Sequence, residues 1–288
     1  MGDEEAAQAA MEMAGGLIDE RRFREAVEPA KEACRLLPAS SGAWWNYAIA
    51  LKHTCAWAEC LAACERAIEL DPEHSEGACW NAGIAATALE RWPRARKAWR
   101  DYGLEVVDGV GPPEMTIGKA GVRVAIETEP EVVLCQRLGP CRAKILSVPL
   151  PESGRRYGDI ILHDGERRGQ RELSSGRIPV FDELALHRAS SYGTWQVTVE
   201  CDQPAERDAL LALFEDFDGA AEDWSETLTV LCAQCSAGIP HDHHPSLPES
   251  PWHIERKLGL AMTNERELER LKRYGQWRRG VREVTRVL

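Results

Sequence analysis

Residues 42–50 read GAWWNYAIA and residues 77–85 read GACWNAGIA, so one pattern occurs twice with a spacing of 35 residues. The ends of the units repeat as well. Ala26, Ala30, Ala33 and Pro38 correspond to Cys60, Cys64, Ala67 and Pro72, which follow 34 residues later. A fixed period of about 20 to 50 residues is the sequence signature of stacked repeat units. The first third of the chain therefore predicts a repeat array.

Each unit has the apolar spacing of two amphipathic helices, with apolar residues at i, i+3 and i+4. Leu37-Pro38 and Asp71-Pro72 predict helix ends, because a residue that precedes proline disfavours the α region. Small residues at the helix crossings let the helix axes approach closely. One helix pair cannot bury its apolar face alone, so three successive pairs are expected to stack.

The period and these residues resemble the tetratricopeptide repeat (TPR) over about residues 5–107. The middle copy matches with Trp44, Tyr47, Ala48, Leu51, Cys60, Cys64, Ala67 and Pro72. The last copy matches with Ala82, Gly83, Ala86, Ala95, Trp99 and Tyr102 and lacks the closing proline. The first copy matches with Met13, Ala14, Leu17, Ala26, Ala30, Ala33 and Pro38, with Ala10 in place of the opening tryptophan. The resemblance implies a TPR-like helical repeat domain over residues 1–107.

The resemblance also implies a concave face, built from the first helix of each unit, that binds a protein or peptide. The groove residues that it implies are Trp45, Asn46, Ile49, Lys52, His53, Trp80, Asn81, Ile84 and Thr87. Asparagine can both donate to and accept from a peptide backbone, and tryptophan adds a wide apolar contact. Internal packing of Trp45 and Trp80 stays open as an alternative. The basic cluster with which some TPR proteins clamp a C-terminal carboxylate is not evident.

A second domain, rich in β-structure, is predicted over residues 118–250, after the breaker run at 108–113. The predicted strands are Val122–Thr128, Glu131–Leu138, Ala143–Val148, Gly158–His163 and Thr194–Cys201. One helix is predicted over Pro204–Phe217, which makes the domain α+β rather than a βαβ array. The fold class expected for the whole chain is therefore multidomain, with an α array followed by an α+β domain.

Five polar residues of this second domain are candidates for catalysis: His163, Asp164, Asp182, Glu183 and His187. His163-Asp164 is predicted to lie in a hairpin turn, where exposed polar residues are ordinary. Asp182-Glu183 is a possible carboxylate pair, although such pairs more often cap helices or face solvent. No nucleotide-binding or nucleophile-elbow motif occurs in the region. We therefore predict that the chain is not an enzyme.

The stretch LCAQCSAGIPHDHH at 231–244 predicts a zinc-knuckle-like site, since two cysteines three apart begin many structural zinc sites. The predicted ligands are Cys232, Cys235, His241 and His244. His243 is an open alternative to His244, because spacing cannot separate neighbours. Four soft ligands fill a closed tetrahedral Zn²⁺ shell, which favours a structural metal. The alternatives are an open metal site in a metal-dependent hydrolase, and two buried cysteines beside a solvated histidine loop.

Residues 251–288 are predicted to form a basic helical tail. From Trp252 onward there are ten Lys and Arg residues against five Asp and Glu residues, and the apolar residues Leu268, Leu271 and Tyr274 have helical spacing. Three roles are open for this tail: packing on the rest of the chain, docking a partner protein, or contacting nucleic acid.

The net charge and the distribution of apolar residues limit the classes of partner and the location that we expect. The formal net charge of −12 argues against nucleic acid and anionic membranes as partners. No basic and apolar leader begins the chain, and no apolar run approaches the roughly 18 residues that span a bilayer. We therefore expect a cytoplasmic, non-enzymatic protein-protein interaction protein. A scaffold, an adaptor and a dedicated regulator or inhibitor all fit this description.

Overall fold

The computed structural model describes residues 3–125, 128, 130–173, 176–214, 218–227, 252–271 and 281–288. The chain divides into two compact units. The first contains Met1–Thr116 and Gly139–Cys141, and the second contains Ile117–Leu138 and Arg142–Leu288. Within the described residues, no helix combines the length and the apolar character that crossing a membrane requires.

The first unit is an array of helices that pack in sequence order, each against the next. Its described helices are α1 (Asp3–Asp19), α2 (Phe23–Leu36), α3 (Ser41–His53), α4 (Trp57–Leu70), α5 (Glu76–Ala88) and α6 (Trp92–Asp101). The first helices of the three pairs also contact one another, because α3 packs on both α1 and α5. The predicted TPR-like array of three helix pairs is confirmed.

The turns inside the three helix pairs repeat the same backbone conformation. Arg21, Cys55 and Glu90 have φ values of 60°, 59° and 53°, respectively. Non-glycine residues rarely adopt this left-handed region. The three turns follow one another at 34 and 35 residues, so the period seen in the sequence is also a period of the backbone.

Small side chains at the crossings allow the close packing of the helices. Ala48 of α3 and Cys60 of α4 are fully buried, and the Cys60 thiol donates to the Ala48 carbonyl oxygen over 3.4 Å. Gly83 of α5 lies under the indole of Trp99, where an added Cβ would come within 2.7 Å of the ring. Trp44 joins successive pairs, since its Nε1 donates to the Pro38 carbonyl oxygen over 3.1 Å. Trp44, whose place in the next copy is taken by Cys79, thus contacts the proline that closes the preceding pair.

A closed barrel forms the first part of the second unit. Its described strands, in barrel order, are β1 (Lys119–Val124), β2 (Glu131–Arg137), β3 (Arg142–Ile145), β4 (Ile160–Leu173) and β5 (Gly176–Arg188). Neighbours are antiparallel except β1 and β5, which close the barrel in parallel. One buried apolar cluster lies in it: Val122, Val124, Val133, Cys135, Ala143, Ile145 and Ile161.

The hairpin turn predicted at His163-Asp164 is wrong, because β4 continues through these residues to Leu173. The polar residues lie instead where the β4–β5 register shifts several times between Ile160 and Gly169. The Gly165 amide donates to Asp164 Oδ1 over 2.7 Å. A bulge accommodates extra residues within a strand and increases its twist. Asp164 and Gly165, which are typical of turns, therefore lie within β4 and do not end it.

A four-stranded antiparallel sheet forms the second part of this unit. It contains β6 (Gly193–Glu200), β7 (Gly219–Asp223), β8 (Glu255–Met262) and β9 (Val281–Arg286) in the order β7-β8-β6-β9. The described helices here are α7 (Pro204–Ala212), α8 (Trp224–Thr227) and α9 (Arg266–Leu271). Its core includes Trp195, Val197, Val199, Leu210, Phe214, Leu258, Leu260, Met262 and Leu268.

The prediction of a helical tail over residues 251–288 is wrong in its described part, where two strands flank the short helix α9. β8 is an inner strand, and its residues from Leu258 to Met262 are all buried. This part of the strand therefore lacks the alternation of buried and exposed residues by which a strand is recognised in a sequence. In β9, Val281 and Val284 both pack on the core although they are three positions apart, a spacing that would place them on opposite faces of a regular strand. The β6–β9 register skips Arg282, and this bulge explains the helix-like spacing.

The barrel and the sheet are joined through the segment that follows β3. Trp224 is buried, and its Nε1 donates to the Val148 carbonyl oxygen over 2.8 Å. The Val148 amide in turn donates to Glu222 Oε2 over 2.9 Å. Gly259 of β8 provides the space for the Trp224 indole, because a Cβ there would collide with the ring.

Candidate partner-binding site

The predicted groove residues of α3 are partly accessible. Trp45, Asn46 and Ile49 are half-buried. Lys52 is buried, at 7% exposure, and the His53 ring stacks on Phe23 of α2 at 3.7 Å between centroids. A partner can therefore reach the first half of α3 more readily than its C-terminal turn.

The predicted groove residues of α5 are largely buried. Asn81, Ile84 and Thr87 are exposed by 2% or less, and the Thr87 hydroxyl donates to the Gly83 carbonyl oxygen over 2.7 Å. Asn81 Nδ2 has no hydrogen-bond partner among the described residues. A role of these three residues in binding stays a prediction, and substitutions there also change packing.

The two sequence-equivalent tryptophans have different surroundings. Trp80 packs edge-on against Trp99 and Tyr102, with ring centroids 5.0 and 4.8 Å away. Trp45 instead crosses toward the next repeat, where its indole lies against Gly77 and an added Cβ would come 2.6 Å from the ring. Trp80 therefore contributes to packing within its own helix pair, and Trp45 forms a wall between two successive pairs.

An open cavity of about 200 Å³ lies beside Trp45, near the N-terminal ends of α3 and α5. Its lining, which we call the Trp45 pocket, consists of Ser41, Gly42, Trp45, Ala67, Asp71, His74, Ser75, Gly77 and Ala78. Most of this lining was not predicted. The sequence signal that points to it is the acidic run around Asp71, which immediately precedes the second copy of the repeated motif.

The charges around the Trp45 pocket are acidic. Asp71 is bound to the imidazole of His74, with 3.1 Å between Oδ1 and Nδ1. Glu73 and Glu76 are exposed beside the lining residues. Arg66, next to the lining residue Ala67, is bound to Glu69 at 3.0 Å. From residue 67 to residue 90 the chain has five Asp and Glu residues and no lysine or arginine. The pocket thus combines an apolar wall with a negative surrounding field.

A second cavity, of about 210 Å³, lies among α4, α5 and α6. Leu61 and Ile68 are among its apolar lining residues. Arg94 and Glu65 also line it and form an ion pair with each other. Because Arg94 and Glu65 neutralise each other, this cavity presents less unpaired charge to a ligand than the Trp45 pocket does.

The predicted metal ligands Cys232, Cys235, His241 and His244, and the alternative His243, lie outside the described residues. The residues that flank them are well anchored. Asp223 at the end of β7 pairs in register with Leu258 of β8, so the chain leaves and re-enters the sheet at neighbouring positions. Trp252 lies near the guanidinium of Arg256, at 4.4 Å, and its Nε1 donates to the Cys201 carbonyl oxygen over 2.8 Å.

The candidate catalytic carboxylates of the barrel are matched by arginines that the sequence interpretation did not consider. Asp182 binds Arg123 at 2.7 Å and Arg168 at 3.0 Å. Glu183 binds Arg155 at 2.6 Å, and burial still raises the pKa of this carboxyl. Such pairing neutralises buried charges, which is the ordinary structural use of an ion pair.

His163 and His187 lie on the paired strands β4 and β5. His163 is fully buried and stacks on Phe181 at 4.8 Å. Its Nδ1 donates to the Asp164 carbonyl oxygen over 2.8 Å, and burial lowers the pKa of the imidazole to about 4. His187 is half-buried on β5. His163 is therefore neutral at physiological pH and part of the barrel packing.

Comparisons with solved structures find TPR domains that are similar over the array. The TPR2B domain of yeast Sti1, in a complex with pHsp70, is 22% identical with a TM-score of 0.32, over 34% of this chain and 78% of that chain. The TPR domain of Arabidopsis OM64 is 24% identical with a TM-score of 0.33, over 35% and 83%. The second TPR of Spaghetti (RPAP3), bound to the HSP90 peptide SRMEEVD, is 20% identical with a TM-score of 0.32, over 35% and 94%.

No family model and no curated protein matches the chain. At these identities the structural similarities concern the fold alone. The repeat architecture is carried by the chain's own helix pairs and by the left-handed turns that recur within them.

Proposed function

We propose that the chain is a non-enzymatic protein-interaction protein that binds a protein or peptide through the first helices of its array. The observation that carries this proposal is the Trp45 pocket, which is open and lined by residues from two successive repeat units. Concave sites with a large apolar wall and a few polar groups are the usual form of a binding site. Tryptophan is also enriched among the residues that dominate binding energy at interfaces.

Neighbouring residues of α3 extend this surface. Asn46 and Ile49 are half-buried near Trp45 in sequence, and an asparagine amide can pair with both groups of a peptide bond. In the barrel, Asp182 and Glu183 are bound to arginines, which supports a structural role for these two carboxylates.

The proposal is tested by affinity capture from the source cell with the full chain as bait. Trp45→Ala and Asn46→Ala should each reduce the captured partner several-fold while the far-UV spectrum at the assay temperature stays close to that of the wild type. Trp57→Ala is the matched control, since Trp57 is also half-buried but lies on α4. Equal capture by all four proteins contradicts the proposal.

We further propose that Cys232, Cys235, His241 and one of His243 and His244 hold a structural Zn²⁺. The donor set fills a tetrahedral shell. The contacts of Asp223 and Trp252, on either side of the segment with the four ligands, support this role. The ends of that segment are held at neighbouring positions of the sheet, and a bound metal would cross-link the residues between them. A closed shell leaves no position for a substrate, which distinguishes this proposal from a metal-dependent hydrolase.

Metal analysis tests the zinc proposal. The purified chain should carry one Zn²⁺, and removal of the metal by a strong chelator should lower the melting temperature of the second unit. Cys232→Ser should lose the metal, whereas Cys55→Ser, which changes an exposed cysteine of the array, should keep it. Retention of zinc by Cys232→Ser, or a metal-free wild type, contradicts the proposal.

A further inference from the structure

We propose that the Trp45 pocket is a subsite for a lysine or arginine side chain of the partner. This inference rests on the proposed function, since it assigns the chemical class of the peptide that the array binds. Three properties of the pocket carry it: its size and apolar lining, the sign of the charge around it, and the way in which Trp45 is held.

The cavity fits a long side chain. About 200 Å³ accommodates the extended stem of one lysine or arginine. The indole of Trp45 and the side chains of Ala67 and Ala78 offer apolar contact. Lysine and arginine bury their methylene stems against apolar surface while the charged head stays near water. A half-open, mostly apolar cavity with carboxylates beside it meets both requirements.

The charge around the pocket selects the sign of the head group. Asp71 lines the cavity with its side chain 38% exposed, so its carboxylate can meet a head group at the opening. Glu73 and Glu76 are exposed and are sequence neighbours of the lining residues, and no lysine or arginine occurs from residue 67 to residue 90. A cationic side chain gains from this field, and like-charge repulsion rejects an acidic one.

An acidic peptide end has no cationic partner in this lining. The one lining residue that can carry a positive charge is His74, and its Nδ1 is already bound to Asp71 at 3.1 Å. Carboxylate recognition normally uses arginine or lysine donors. A purely apolar side chain would fill the cavity but would make no use of Asp71, and it is the comparison occupant in the test below.

Trp45 is positioned by the absence of a side chain at Gly77. An added Cβ at Gly77 would lie 2.6 Å from the outer edge of the indole. Van der Waals contact requires more than 3 Å, so Gly77→Ala would displace the ring and change the pocket wall. Alanine there would therefore alter the subsite without removing any of its charges.

The inference is tested with three acetylated and amidated heptapeptides, Ser-Gly-Ser-X-Ser-Gly-Ser, in which X is lysine, norleucine or glutamate. Each is titrated into the full chain while the indole N–H resonance of Trp45 is followed by NMR, identified by its loss in Trp45→Phe. The lysine peptide should shift this resonance saturably, the norleucine peptide should bind more weakly, and the glutamate peptide should give no shift.

Two substitutions separate the charge from the shape of the pocket. Asp71→Asn should weaken binding of the lysine peptide about two- to fivefold, the range of one exposed charge pair, and raised salt should have the same effect. Glu59→Gln, an equal charge change at an exposed position of α4, should leave it unchanged. Gly77→Ala should weaken both the lysine and the norleucine peptides.

The inference is overturned if the glutamate peptide binds as well as the lysine peptide, if norleucine equals lysine, or if no peptide shifts the Trp45 resonance. These outcomes leave the proposed function standing when Trp45→Ala still reduces capture of a cellular partner several-fold. If Trp45→Ala captures the partner like wild type, the proposed function fails independently of the peptide result.

Discussion

Two buried titratable residues of the second unit show how position alone changes side-chain chemistry. Glu131 of β2 is buried, and burial is the main cause that raises its pKa to about 7 from 4.5. The Leu150 amide, which donates to its carboxylate over 3.0 Å, opposes this shift, as does Arg171, whereas Glu222 and Glu152 add to it. Burial lowers the pKa of His163 to about 4 from 6.5.

These shifts predict opposite effects of pH on stability. The stabilising contribution of protonated Glu131 is fully present below pH 4.5 and is lost as pH rises through about 7. The contribution of neutral His163 is present above pH 6.5 and is lost as pH falls through about 4. The two trends oppose each other in the wild type where the two pH ranges overlap.

Single substitutions should reveal each trend. Relative to wild type, Glu131→Gln should gain unfolding free energy as pH rises from 4.5 to 7, by about 1–3 kcal/mol, since one pKa unit is worth about 1.4 kcal/mol. His163→Gln should instead gain relative to wild type as pH falls from 6.5 to 4. Urea unfolding across this range measures both. Parallel curves for all three proteins would refute the assignments.

Two helical glycines predict opposite effects of the same substitution. Gly83→Ala places a Cβ 2.7 Å from the buried Trp99 indole and should destabilise the array by about 1–2 kcal/mol. Gly16→Ala, in α1 with no atom within 4 Å of the added Cβ, should stabilise it by about 0.5–1 kcal/mol. Thermal unfolding measures the pair. If Gly83→Ala raised the melting temperature, the Trp99 indole would not pack directly against Gly83.

At the scale of elements, a buried ion pair connects the end of β7 to β8. Asp223 and Arg256 are each about 5% exposed and in direct contact, and Arg207 approaches the same carboxylate at 3.3 Å. Asp223→Asn leaves two arginines without their carboxylate and should cost about 3–5 kcal/mol of unfolding free energy. Glu200→Gln, which breaks the exposed pair with Arg282, should cost less than about 1 kcal/mol.

Chemical denaturation of the two variants measures this difference. A similar small loss for both would mean that the Asp223 pair contributes no more than an exposed one. A large loss for Asp223→Asn would show that the buried pair holds the end of β7 against β8. The same connection includes the Lys257 amide, which donates to Ser225 Oγ over 2.8 Å, and the segment that carries the predicted metal ligands follows it in the chain.

The helix pairs were predictable because their signal recurs at a fixed period and survives several substitutions. The strands of the last forty residues were not predictable from spacing. An inner strand such as β8 is buried on both faces and loses its alternation. A bulge at Arg282 sets Val281 and Val284 on one side of β9, which imitates a helical repeat.

The candidate site was predicted in part, for a related reason. The sequence treats Trp45 and Trp80 as equivalent, since both belong to the same repeated motif. Their neighbours differ, because α5 is followed by the aromatic residues Trp99 and Tyr102, which enclose Trp80. The Trp45 pocket depends on Gly77 and Asp71 from the next turn and helix, and such a combination exists only after folding.

At the scale of the whole molecule, the features that point to binding and those that point to stability lie in different parts of the chain. The array has an open pocket with unbalanced acidic charge. The barrel and the sheet have matched buried charges at Asp182 and Asp223. We therefore expect substitutions in the Trp45 pocket to change partner capture, and substitutions in the second unit to change mainly stability.

The most direct measurement of the central claim is site-specific photo-crosslinking in the source cell. A photoreactive amino acid replaces Ile49, which is half-buried on α3, or Arg35, which is exposed on α2. The account predicts that the Ile49 position forms a discrete covalent adduct with a protein or peptide, that Trp45→Ala abolishes this adduct, and that the Arg35 position forms none. Equal adducts at both positions, or none at Ile49, would contradict the claim that the array binds its partner through this face.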